Sequence, residues 1–202
     1  LGSGAYDAGE SIAQLAELVQ AAVTTRRMGH GVLPTQHPLM IPITCAHDLW
    51  PTADVVVGIG SRIEWPLGAW GYDDDLTLIQ INVDETELDR HGITDVGIHA
   101  DADQACRALI DAIGPLTRPS RVPELDELRA SFHDRTSHLE PQISYTAAIR
   151  DVLPDGGVLV EDVTQIGFAA HLFYDHLQPR TFLSSGAAGT LGAGTAVAIG
   201  AS

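Results

Sequence analysis

The sequence predicts an α/β fold: a Rossmann-like, doubly wound parallel sheet followed by part of a second α/β unit. Three observations carry this. Short apolar runs, Val55–Ile59 and Leu78–Val83, break at glycine, serine or aspartate, as strands buried on both faces do. Amphipathic helical stretches alternate with them, which makes successive strands parallel. After a proline-rich interruption near residues 114–123 the same alternation restarts.

The elements follow in order. Gly2–Ala5 is a small-residue turn, and Ile12, Leu15, Ala16, Leu18 and Val19 then recur on one face of a helix. Residues 21–25, AAVTT, read as a short strand, and 28–38 as a loop paced by Gly29, Gly31, Pro34 and Pro38. The strand Val55–Ile59 leads into IEWPLGAWGYDDD, read as an exposed loop or subunit contact over an aromatic substrate site. Strands at 78–83 and near DVGIHAD precede a helix that buries Cys106, Leu109, Ile110 and Ile113. Beyond the interruption come a helix from Glu124, a helix over SYTAAIRDVL, a strand in VLVEDV, a helix near IGFAAHLFYDHL and a short strand in TFLSS. A small-residue segment closes the sequence, with a buried helix expected from Leu191 to Ala201. No strand precedes the opening turn and no cap ends the closing helix, so both ends read as interrupted.

Composition narrows the function. The formal charge is −16, from 27 acidic and 11 basic residues, and every basic residue is arginine. So acidic a surface repels phosphate backbones, which argues against a nucleic-acid partner. The absence of lysine excludes a Schiff-base or Walker lysine. No stretch nears the roughly 18 apolar residues of a membrane span, and the first residues lack signal-peptide features. Cys45 and Cys106 stand apart without a CxxC partner, against zinc, redox or disulfide roles and in favour of a reducing, cytoplasmic setting. Among nine histidines no HExxH pair occurs, and His171 and His176, five apart, share a helical face poorly; solvated or locally bonded imidazoles are expected.

Taken in order, GSGA, LAELVQAAVTT, GHGVLPTQHPL, ADVVVGIGSR, LIQINVDETEL, ADADQ, LPDGGVLVEDVTQIGF, PRTFLSSGAAGTLGAG and AIGA resemble the thiamine-diphosphate-dependent decarboxylase and carboligase family. Acetolactate synthase and benzoylformate decarboxylase are members. The resemblance implies a central Rossmann-like domain at 1–114, a linker and helix at 115–140, and the N-terminal part of a diphosphate-binding domain at 141–202. It implies an enzyme, a lyase or transferase, that uses thiamine diphosphate and Mg2+ to decarboxylate a 2-keto acid or transfer the resulting acyl carbanion. It also implies a homodimer or homotetramer.

The family's activating glutamate and its GDG…N metal motif do not occur in this sequence, so no catalytic residue and no metal ligand is expected here. The fragment alone is expected to be inactive. The alternative is a non-catalytic nucleotide-binding or regulatory module derived from the same family.

By resemblance, Leu191 is the apolar wedge under the bent cofactor, the Gly189 carbonyl accepts from its 4′-amino group, and Gly186 and Thr190 complete the loop. Thr164 and Gln165 sit after a strand, where they face the cofactor diphosphate or the substrate, or where Thr164 or Asp162 simply caps a helix. His37 matches a structural position. In the central domain, Gly4, Gly60, Arg62 and Asp84 stand where a nucleotide would pass the strand ends. FAD is nonetheless doubtful, because MIPITCAHDLWPT replaces the expected glycine-rich stretch. Thr195 and His30 also depart from the family pattern, reading TAVAIGA and GHG.

Overall fold

The computed structural model describes the backbone of residues 1–202 and every side chain except that of residue 187. Three parallel strands, β1 (Val55–Ile59), β2 (Thr77–Asn82) and β3 (Val96–His99), form one sheet in the order β1-β2-β3. Side chains alternate between its faces. Ile59, Ile81 and Ile98 face α1 (Gly9–Val19) and α4 (Ala102–Ile113), while Val56 and Leu78 meet Ile63 and Leu67 of the opposite layer. Covering layers on both faces make the sheet doubly wound.

Local chemistry sets the helix ends. Asp101 accepts from the backbone N–H groups of Asp103 and Gln104 and starts α4. Gln20 ends α1 in a left-handed conformation, its N–H returning to the Ala16 carbonyl. Pro123 sits in the first turn of α5 (Val122–Thr136), where a missing N–H costs nothing, so the helix begins inside the predicted interruption. α5 buries Leu125 and Phe132 in the first core.

Several expectations are corrected. Residues 21–25 form only a single parallel bridge, Val23 to Met40, because their other neighbours are loops. β1 is not buried along its length: Val55 and Val57 are exposed, since α1 and α4 cover only its carboxyl end. The stretch IEWPLGAW is no loop but the helix α3 (Glu64–Trp70), with Pro66 in its first turn and Ile63, Leu67 and Trp70 spaced along one side. On α4 Cys106 is buried and Leu109 and Ile110 pack against the core as expected, joined by Ala102 and Ala105, but Ile113 projects to solvent at the helix end.

The second unit comprises α6 (Gln142–Val152), β4 (Leu159–Val160), α7 (Gln165–Phe173), β5 (Phe182–Leu183) and α8 (Ala193–Ala201), after the short helix α2 (Ile43–Leu49) and the others of the first unit. β4 and β5 pair in parallel. A small core of Ala170, Tyr174 and Phe182 joins α6 and α7 to this pair. α8 is not buried: Ile199 is 72% exposed, and within this chain the helix packs chiefly against β4. No helix is long and apolar enough to cross a membrane.

Candidate functional site

The carboxyl end of β4 releases Glu161 and Asp162 toward the closing glycine segment. Asp162 Oδ1 accepts from the Gly192 N–H at 3.0 Å and Oδ2 from the Gly194 N–H at 2.9 Å, while Val163 N–H donates to Oδ1 at 2.7 Å. The backbone donors of Gly194, Val163 and Gly192 hold this carboxyl below its usual range. Asp162 thus acts as a remote N-cap for α8, which starts without a cap of its own.

Above this anchor the chain turns through Gly186, Gly189 and Gly192, at φ +61°, +58° and +78°. No atom lies within 4 Å of the place a Cβ would occupy at any of the three, so the loop presents bare backbone to open space. Leu191 projects from it, 75% exposed. The Arg27 guanidinium donates to the Gly186 carbonyl and ties the loop to the first unit. Arg27 itself holds a left-handed φ of +47°.

The structure brings Gly186, Gly189, Thr190 and Leu191 onto one rim. Thr164 caps α7, its Oγ1 accepting from the Gly167 N–H at 3.0 Å, and the amide groups of Gln165 and Gln142 lie 2.9 Å apart. The other four predicted residues are engaged within the first unit. Gly4 N–H donates to the Gly60 carbonyl at 3.1 Å, and a Cβ on Gly60 would strike the backbone of Gly4. Arg62 pairs with Glu87 at 2.9 Å, and Asp84 accepts from the Thr86 N–H and hydroxyl. The cleft beside them, lined by Gly4, Gly60, Asn82 and Ala100, has a volume of about 10 Å³. A larger cavity of about 390 Å³, lined by His47, Trp65, Trp70, Phe132 and Arg135, shares no residue with the glycine rim.

The histidine expectation is overturned in part. His30 and His176 are buried, stacked with ring centroids 4.1 Å apart, and His171 joins them from α7. His176 escapes the helical spacing argument because it lies beyond the end of α7, where the chain folds back on the helix. His37 is local: its Nδ1 accepts from the Leu39 N–H and its Nε2 meets Glu17. Sequence reasoning missed Arg27, Glu161 and this cluster as parts of the site's surroundings. The departure at His30 was the one signal available. Among the described residues no group of His, Cys, Asp and Glu is arranged to hold a metal ion.

Fold and rim together define a parallel α/β protein with a bare glycine loop near the carboxyl end of β4. Residues 1–109 match the model of the thiamine pyrophosphate enzyme central domain, and the chain belongs to that family. It is 27% identical over 212 residues to acetolactate synthase isozyme 1 large subunit of Escherichia coli (strain K12), covering 100% of this chain and 38% of that protein. To a probable acetolactate synthase large subunit of Methanocaldococcus jannaschii it is 29% identical over 215 residues, covering 96% and 36%. A probable 2-ketoarginine decarboxylase of Pseudomonas aeruginosa shares 27% over 209 residues, covering 99% and 37%. The chain therefore spans little more than a third of the length of these relatives.

Proposed function

We propose that the chain is part of a thiamine-diphosphate-dependent enzyme that decarboxylates a 2-keto acid or transfers its acyl carbanion, in the manner of acetolactate synthase. The observation that carries this is the Asp162-anchored loop, whose three left-handed glycines leave their outer face bare beside an exposed leucine. That rim suits a bent, two-ring cofactor, which needs close backbone approach and an apolar wedge. When bound, the cofactor supplies the carbanion chemistry.

In this reading residues 1–114 are the central domain, 115–140 a linker and helix, and 141–202 the first part of the diphosphate-binding domain. Leu191 wedges the cofactor, the Gly189 carbonyl accepts from its amino group, and Gly186 and Thr190 line its path. Thr164 and Gln165 stand at the edge. Mg2+ is bound by ligands outside this chain, and the working enzyme is a cytoplasmic homodimer or homotetramer acting on a small 2-keto acid.

Calorimetry on the intact protein tests it. Thiamine diphosphate with Mg2+ should bind, and 2-keto acids should then release carbon dioxide or yield a coupled product. Binding of ADP or FAD without thiamine diphosphate would instead make the protein a nucleotide-binding module.

A further inference from the structure

The proposed chemistry leaves unused a file of buried and half-buried polar groups between the two units. Thr25 Oγ1 lies 3.0 Å from His30 Nδ1, His30 Nε2 lies 3.2 Å from His171 Nδ1, and His171 Nε2 lies 3.3 Å from Glu161 Oε1. Phe182 closes the cluster edge-on against all three imidazoles. Burial, reinforced by His176 and His171, drives His30 well below the ordinary imidazole range, and burial with Arg27 and Arg26 brings His171 down to about 4. At neutral pH each of these two rings therefore carries one N–H and one lone pair.

A neutral file of this kind runs in one direction. The Glu161 carboxylate can only accept, so His171 donates from Nε2. Its bare Nδ1 then accepts from His30 Nε2–H, and His30 Nδ1 accepts from the Thr25 hydroxyl. Both rings are Nε2–H tautomers. Glu161, its carboxyl raised by burial against the opposing pull of Arg27, is the terminus of the file and the immediate neighbour of Asp162.

Strand pairing alone holds this turn weakly. β4 has two residues, paired in parallel with the two of β5, and at its ends Leu159 N–H donates to the Thr181 carbonyl and Glu161 N–H to the Leu183 carbonyl. The side chain of Glu161 needs a second fixed point if the turn is not to rotate and carry the Asp162 oxygens off two backbone donors. His171 supplies it, and His30 braces His171 from the first unit.

We propose that His171 is a positioning residue of the cofactor site: by fixing Glu161 it holds the adjacent Asp162 carboxylate on Gly192 and Gly194. The inference rests on the thiamine diphosphate reading above. His171 touches no reacting atom and acts through its neighbours.

Two measurements on the intact protein test it. Nitrogen-15 spectra of the imidazoles at pH 7.5, without cofactor, should assign Nε2–H tautomers to His30 and His171. In calorimetry, His171→Leu should weaken thiamine diphosphate binding roughly tenfold, the scale of one lost hydrogen bond to a charged group. His171→Gln, whose amide still accepts from His30 and donates to Glu161, should stay within about threefold of the wild type. In turnover the loss should appear in the cofactor half-saturation more than in kcat.

Nδ1–H tautomers would overturn the proposal even if His171→Leu does not fold. So would equal cofactor affinity in wild type and His171→Leu, or an equal loss in Gln and Leu variants, which would mean packing alone matters. A wild type that binds no thiamine diphosphate would bring down the functional reading first, and the positioning role with it.

Discussion

Residues 1–140 and 141–202 share an alternation of strand and helix, yet they hold their shapes by different means. The first region closes a large core in which Leu33, Ile81, Cys106, Leu125 and Phe132 are almost wholly buried, with a smaller cluster of Ile63, Leu67 and Leu78 on the other face of its sheet. The second has a core of Ala170, Tyr174 and Phe182 and leaves Phe168, Leu191 and Ile199 largely exposed. It leans on the first through discrete contacts. Arg27 holds the Gly186 carbonyl, Thr35 and His176 exchange hydrogen bonds, and Phe132 stacks on Phe173 with centroids 5.3 Å apart. Burial fixes the scaffold, whereas a few directional contacts fix the region with the bare glycine rim.

The contrast is broken most severely at the shared aromatic pair. Phe132→Ala removes a ring that is 2% exposed and should cost about 3–5 kcal/mol, read as a lower urea midpoint for the whole chain. If the midpoint hardly moves, the two regions do not share a core through α5.

Acid should act next, through the junction. The folded-state values of His171, about 4, and His176, about 3, lie below the ordinary imidazole value, chiefly through burial. Unfolding therefore takes up protons between those values and about 6.5, so stability is full above that pH and is lost as the pH falls toward 4. For His171 alone the loss is on the order of 3 kcal/mol. The groups facing the cluster are Arg26, Arg27, Arg150, Glu161 and the Leu1 amino group. Denaturation at a series of pH values checks the slope, which should flatten in His171→Gln.

Gly31→Ala sharpens the comparison by attacking docking alone. Gly31 holds φ +81°, and a Cβ there would strike the Gln178 carbonyl of the second region. The backbone strain is worth about 1–3 kcal/mol. Hydrogen exchange should accelerate at residues 159–183 while β1 to β3 remain protected; uniform acceleration would mean the regions unfold as one.

The smallest effect is expected at the bidentate pair of Arg180 with Asp7, both largely exposed. Asp7→Ala should leave the urea midpoint within error, because solvent and salt screen such a pair. A clear shift would make this ion pair a true clamp between the regions.

Much of the first region was legible because its signals are local. Val55–Ile59 and 78–83 read as strands from their short apolar runs, and α1 and α4 as amphipathic helices from their period. The helix α3 was not, because Pro66, Gly68 and Gly71 resemble loop punctuation until Pro66 falls in a first turn. The glycine rim was legible as a pattern of backbone freedom. What anchors it was not: Asp162 reaches Gly192 and Gly194 across 30 and 32 residues, at no period the sequence displays.

The sequence by itself determined the strands β1 to β3, the helices α1 and α4, the interruption after α4 and the glycine pacing of residues 186–192, since hydrophobic period and backbone freedom are properties of neighbours along the chain. Only the tertiary structure decided that His30 would meet His171, 141 residues away, and that Arg27 would hold Gly186, 159 residues away. Each of those contacts satisfies a buried or partly buried polar group, and its partner is chosen by where the packed layers bring the chain, which no local pattern encodes.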